Sequence, residues 1–224
     1  MAAHDHLIVA AIVVAAGSGS RLGADVPKAF VRVAGRSLLE HAVAGLRAHP
    51  RVTSCVVVAP ADLVDLAREL TGLNVVAGGA TRQESVDAGL RLLGPDPELV
   101  LVHDAARPFA PVAVIDRVLA ALTAGADAAI PALPVTDTIK QVDEVGHVLS
   151  TVDRGALVAV QTPQGFRRAA LVAAHANAAR LDATDDAALV EASGGQVQVV
   201  RGDERSFKIT VPLDLALAEV VARG

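Results

Sequence analysis

Ile8-Val9-Ala10-Ala11-Ile12-Val13-Val14 runs straight into Ala15-Ala16-Gly17-Ser18-Gly19-Ser20-Arg21-Leu22-Gly23, and Asp25-Val26-Pro27-Lys28 follows. The apolar run lacks polar alternation, as expected of a strand buried on both faces. Gly17, Gly19 and Gly23 have the spacing of a dinucleotide fingerprint, which alone is a weak signal. A dinucleotide site also needs a long helix opening directly behind the glycines, with its N-terminus on the pyrophosphate. Pro27 argues against that helix. The loop also lacks the Gly-Lys-Ser/Thr ending of a P-loop. It is expected to stay extended and to carry Arg21 and Lys28 around one ligand. Small residues let backbone N–H groups approach and cradle phosphate. Two cations there suit phosphoryl or nucleotidyl transfer, where charge builds at the reacting phosphorus and on the leaving group. The plain alternative is a solvated loop with two surface cations.

Outward from this stretch, apolar runs alternate with helix-like segments. Strands are predicted at 8–14, 54–59, 73–77, 98–102 and 127–131, with helices near 37–48, 61–70, 81–93 and 111–123. That rhythm predicts the α/β class: a mostly parallel sheet with helices on both faces. After Pro134 the period changes. Residues 135–142 and 147–153 alternate apolar and polar around Asp143, Glu144 and Gly146, which reads as a β-hairpin. A hairpin alone has too little core, so it is expected to pack on a second subunit. Helices near 168–179 and 184–193, a strand near 196–201 and a closing helix at 212–222 complete the chain. The whole is read as one domain over 1–224 with a β-arm at about 135–154.

Composition narrows the function classes. Hydrophobic residues make up 52% of the 224, and aromatics only 2%, so the core must be aliphatic. A net charge of −5 argues against a nucleic-acid partner, whose phosphates need clustered Lys and Arg. No membrane-spanning stretch or signal peptide is read, and the chain is expected to be cytoplasmic. The single cysteine, Cys55, lies in an apolar run and is expected to be a buried thiol. There is no zinc-spaced Cys/His cluster and no nucleophile elbow.

Three further constellations stand at predicted strand ends. His103-Asp104-Ala105-Ala106-Arg107-Pro108 follows the strand 98–102, where open α/β sheets bind ligands. Asp104 and Arg107 suit metal or phosphate there, or simply pin the turn as a pair; His103 is read as structural. Gly78-Gly79-Ala80-Thr81-Arg82-Gln83-Glu84-Ser85-Val86 allows close backbone approach, and Thr81 with Glu84 has capping-box spacing. Base or ribose contacts and plain helix capping are both open. Thr151-Val152-Asp153-Arg154, Gln161-Thr162-Pro163-Gln164 and the cations Arg205 and Lys208 come later. Exposed cations are usually just solvated.

In order, these motifs resemble the 2-C-methyl-D-erythritol 4-phosphate cytidylyltransferases of the non-mevalonate isoprenoid pathway. Asp137-Thr138-Ile139-Lys140, Thr184-Asp185-Asp186 and Lys208-Ile209-Thr210 extend the likeness to nearly the whole chain. The resemblance implies a Rossmann-like nucleotidyltransferase fold, and a β-arm that embraces a second subunit to give a homodimer. It implies transfer of CMP from CTP to the acceptor phosphate, with pyrophosphate released. Arg21 and Lys28 would stabilise the transition state at the α-phosphate, and Arg154 and Lys208 would position the acceptor. CTP would lie against Ala15, Ala16, Gly17, Gly19, Gly79, Ser85 and Asp104. Asp104, Arg107, Thr138 and Thr162 would line the acceptor site, with Thr138 and Arg154 reaching into the partner's site. A divalent cation, Mg²⁺ foremost, would be held mainly by the CTP phosphates, with no protein ligand assigned. Ala80 departs from the family, which often has an acidic residue there. The rivals are a ribitol 5-phosphate cytidylyltransferase, a transferase of another nucleotide, and a non-catalytic nucleotide- or NAD-binding protein.

Overall fold

The computed structural model describes residues 7–17, 26–177 and 183–223. Its strands are β1 (Val9–Val14), β2 (Arg32–Val33), β3 (Arg36–Ser37), β4 (Val52–Ala59), β5 (Asn74–Ala77) and β6 (Leu99–Asp104), then β7 (Ala128–Pro134), β8 (Ile139–Val142), β9 (Val148–Val152), β10 (Val158–Val160), β11 (Gln164–Arg167) and β12 (Val197–Arg201). Its α-helices are α1 (Leu38–Arg47), α2 (Val64–Thr71), α3 (Arg82–Leu93), α4 (Val112–Thr123), α5 (Arg168–Asn177), α6 (Asp186–Ala192) and α7 (Pro212–Val221).

The opening strand lies inside the sheet, in the middle of its parallel part. β1 pairs in parallel with β4 on one edge and β6 on the other, and β5 extends the parallel run beyond β4. Alternate residues of β1 feed opposite faces, as the two-residue period of a strand requires. Val9, Ala11 and Val13 pack with α1, α2 and α4, whereas Ile12 packs with α3, α5 and α6. Both faces are therefore covered, which is why β1 shows no polar alternation.

Beyond β6 the sheet turns mixed. β11 runs antiparallel to both β6 and β7 and separates them. Ala129 pairs with Gly165 of β11 and Gln198 of β12, and Ala132 with Val160 of β10 and Arg201 of β12. β10 and β11 thus share one edge of β7, and β12 lies parallel on the other. Neither β10 nor β11 was predicted from the sequence. Gln164-Gly165-Phe166-Arg167 is short and has no run of branched residues, so its strand character comes from the two neighbours it fills between. The small β2–β3 hairpin was also missed; it turns at Ala34 and Gly35, with φ of 48° and 80°.

The predicted hairpin is present as a separate two-stranded ribbon, β8 paired antiparallel with β9 from Ile139↔Val152 to Val142↔Val148. Val142, Val145, Val148 and Leu149 on it are exposed.

Candidate active site

The carboxyl ends of β1, β5 and β6 lie along one edge of the parallel sheet and open onto a cavity of about 450 Å³. That is the usual ligand position in an open α/β sheet and a usual size. Ala15, Ala16 and Gly17 line it from β1, Gly79 to Arg82 and Ser85 from the loop into α3, and Asp104 to Ala106 from β6. Lys28 and Lys208 complete the wall. Among the described lining residues, three cations (Lys28, Arg82, Lys208) face one carboxylate, Asp104. Cations outnumber carboxylates on this wall, which suits an anionic ligand.

Local chemistry explains the shape of each wall. Thr81 and Glu84 form the capping box: Glu84 N donates to Thr81 Oγ1 and Thr81 N to Glu84 Oε2, both at 3.1 Å. Capping thus accounts for both side chains, and it aims the N-terminus of α3 along the cavity. The Ser85 hydroxyl donates to Thr81 O at 2.9 Å and accepts from Gly79 N at 3.2 Å, fixing the glycine pair. A Cβ on Gly78 would stand 2.5 Å from Ala16 Cβ, so glycine is what lets this loop close on the β1 loop. Lys28 opens a 3-10 turn, Lys28–Phe30, whose Ala29 and Phe30 are buried and anchor it.

The turn after β6 is held by a directed chain of hydrogen bonds. His103 Nε2 lies 3.0 Å from Arg107 O and so must donate to it. Its Nδ1 then accepts from the Thr162 hydroxyl at 2.9 Å, and Thr162 Oγ1 accepts from Asp104 N at 3.1 Å. Burial pushes the His103 pKa down to about 4, which keeps the ring neutral and this pattern in place. The Arg107 guanidinium reaches Ser206 O at 2.7 Å and Val160 O at 3.1 Å, and Ile209 N donates to Ala106 O at 2.9 Å. These contacts dock the segment carrying Lys208 beside β6. Lys208 Nζ then reaches Asp104 Oδ2 at 2.7 Å.

Over residues 9–223 the sequence matches the family of 2-C-methyl-D-erythritol 4-phosphate cytidylyltransferases. The chain belongs to that family. A curated cytidylyltransferase of this name from Saccharopolyspora erythraea is 52% identical over 221 residues, covering 95% of this chain and 98% of that one. Among solved structures, 4-diphosphocytidyl-2C-methyl-D-erythritol synthase from Anaerococcus prevotii superposes with a TM-score of 0.86 at 30% identity, covering 100% of both chains. The 2-C-methyl-D-erythritol 4-phosphate cytidylyltransferase of Thermus thermophilus gives 0.81 at 41% identity, covering 96% of this chain and 98% of that one.

In this cytidylyltransferase the predicted site residues divide into four sets. Lys28, Lys208, Ala15, Ala16, Gly17, Gly79, Ser85 and Asp104 come together on the cavity wall. Arg21 and Gly19 lie outside the described residues. Arg107 and Thr162 stand behind the wall with their polar atoms engaged by the turn, and neither is among the lining residues. Thr138 and Arg154 flank the open end of the ribbon, where Ile139 pairs with Val152, and neither lines this chain's own cavity; the Arg154 guanidinium donates to Thr136 O. One lining cation, Arg82, was not singled out from the sequence. Its position directly behind the cap Thr81, at the first turn of a helix aimed at the strand ends, was the available signal.

Asp104 makes a testable electrostatic case. Burial alone would raise its pKa, but Lys208 and Arg82 outweigh that and hold it at about 2. A depressed carboxylate contributes stability that is complete above its unfolded pKa near 4 and is lost as pH falls through its folded value. Wild-type protein should therefore lose about 2 kcal/mol more stability between pH 5 and pH 2 than Asp104→Asn. Urea unfolding at stepped pH measures this; equal losses would show that Asp104 is not held by the two cations.

Proposed function

We propose that this protein transfers CMP from CTP to 2-C-methyl-D-erythritol 4-phosphate, giving 4-diphosphocytidyl-2-C-methyl-D-erythritol and pyrophosphate. The observation that carries the reading is the cavity itself, which faces Lys28, Arg82 and Lys208 toward one space at the strand ends in a chain of this family. In-line attack forms a bond from an acceptor phosphate oxygen to the α-phosphorus, and the bond from that phosphorus to the bridging oxygen of pyrophosphate breaks. The acceptor phosphate is already ionised near neutral pH, so no general base is needed. The protein's task is to align two anions and to neutralise the charge that builds. Lys28, with Arg21, acts on the α-phosphate and the departing pyrophosphate, and Lys208 on the acceptor phosphate. The small residues Ala15, Ala16 and Gly17 leave room against the sheet for the nucleotide.

The exposed apolar ribbon supports a homodimer in which β8 and β9 lie on a second copy and present Thr138 and Arg154 to its cavity. Among the described residues no cluster of three or more His, Cys, Asp and Glu side chains stands ready for a metal. The one carboxylate on the wall is paired with Lys208 and Arg82. These residues do not form a protein-built magnesium site, so the divalent cation belongs with the triphosphate in this reading. No described helix is long and apolar enough to cross a membrane; a cytoplasmic enzyme is the setting that fits small water-borne substrates.

Pyrophosphate release with CTP and Mg²⁺ tests the proposal. Turnover with 2-C-methyl-D-erythritol 4-phosphate is expected to exceed turnover with ribitol 5-phosphate, and CTP to exceed ATP, GTP and UTP. Preference for ribitol 5-phosphate, or release with neither acceptor, would overturn it.

A further inference from the structure

From the cavity wall inward runs a line of charges whose far members, Asp186 and His175, the transfer step itself does not use. Arg82 stands between two carboxylates. Its Nη1 donates to Asp186 Oδ2, and its Nη2 lies 3.7 Å from Asp104 Oδ1. Asp186, the first residue of α6, is 1% exposed, and its other oxygen is met by His175 of α5. His175 Nε2 lies 3.0 Å from Asp186 Oδ1, and its side chain is 4% exposed. A carboxylate only accepts, so Nε2 carries the proton. The opposite nitrogen, Nδ1, is buried with no hydrogen-bond partner. The ring is thus held for the sake of one bond, and an orphaned buried nitrogen is a cost that calls for a reason. The series reads His175, Asp186, Arg82, Asp104, Lys208, and only its last three members line the cavity.

We propose that His175 is a positioning residue for the transfer reaction: by holding Asp186 from behind, it fixes Arg82 between Asp186 and Asp104, and so sets the Asp104–Lys208 pair that meets the acceptor phosphate. The inference rests on the reaction proposed above. Its physical basis is competition for one guanidinium. A buried carboxylate needs its oxygens hydrogen-bonded. With His175 donating to Oδ1, Asp186 takes one arm of Arg82 and leaves the other toward Asp104. Without that donor, Asp186 draws both arms into a bidentate pair. Asp104 then loses a cation and binds Lys208 more tightly, which takes the lysine away from the acceptor.

The test compares His175→Gln, whose amide nitrogen can occupy the place of Nε2, with His175→Asn, whose amide falls short of it. Both side chains are polar and no larger than histidine. Glutamine is expected to keep kcat/KM for the acceptor within about threefold of wild type, and asparagine to lower it at least tenfold, with the CTP dissociation constant unchanged in both. Equal values for the two variants would show that the ring only fills space. Loss of CTP affinity in proportion would place the effect on the nucleotide instead. A second readout does not depend on the acceptor: the Lys208 ¹³Cε resonance, assigned by its loss in Lys208→Met, should move in His175→Asn and stay in His175→Gln. A wild-type protein inactive with the acceptor would sink the parent reading while this resonance still decided the role of His175. An unmoved Lys208 signal in His175→Asn would overturn the inference.

Discussion

Lys28→Ala is expected to lower kcat by about 10²–10³-fold while the CTP dissociation constant changes by less than about tenfold. The reason is where the charge is needed. In the ground state the triphosphate's charge is shared among the cations on the wall and any metal ion it carries. In the transition state, charge shifts to the equatorial oxygens of the α-phosphorus and to the bridging oxygen of the leaving group. A cation held at that point acts mainly on the transition state, and only such differential interaction raises kcat. The fold supplies the holding: Lys28 opens a short turn pinned by the buried Ala29 and Phe30, so truncating the lysine leaves both anchors in place. Single-turnover kinetics and calorimetric CTP titration on the same preparation separate the two effects. A loss of affinity as large as the loss of rate would make Lys28 a ground-state ligand and remove its catalytic role.

The parts of this molecule that could be read from sequence are those where a local pattern has a single physical solution. β1 is such a case, because a run of apolar residues ending in glycines has to be a buried strand feeding a loop. The capping box at Thr81 and Glu84 is another, since its spacing alone closes the hydrogen bonds. Asp104 could be placed because it follows the predicted strand 98–102 closely, and Lys28 because Pro27 argues against a helix behind the glycines and leaves a loop to carry the lysine. What could not be read depends on partners distant in the chain. Arg82 looks like any helix residue until α6 brings Asp186 against it, 104 positions later. Thr162 was expected at the acceptor, yet its hydroxyl serves His103 and Asp104 N, a pairing that only the β6–β11 contact creates. β11 itself has strand geometry because β6 and β7 leave one strand's width between them.

That gap also decides the second large effect, at Gly165. A Cβ there would lie 2.3 Å from Val118 Cγ1, 3.0 Å from Leu122 Cδ1 and 3.3 Å from Leu101 Cδ2. Val118 and Leu122 belong to α4 and are fully buried, so neither can swing into solvent. Gly165→Ala therefore has to push the helix from the sheet or the strand from its neighbours. Such overpacking costs about 1–3 kcal/mol, which for a chain of this size lowers Tm by roughly 3–10 °C. Gly165→Val adds two more carbons to the same space and should exceed that range or prevent folding. Thermal unfolding of the alanine variant gives the cost. Val118→Ala in the same chain supplies the control, since it removes the nearest clashing carbon. The double variant should be more stable than the sum of the two single losses allows, a coupling that double-mutant cycles resolve. Simple additivity would mean that α4 does not sit on β11 as described. The consequence reaches the active site, because β11 begins two residues after Thr162, whose hydroxyl and buried partner His103 hold the Asp104 turn. A folded Gly165→Ala enzyme should accordingly lose acceptor turnover before it loses CTP binding, since Asp104 and Lys208 depend on that turn while the wall around Gly79 and Ser85 does not.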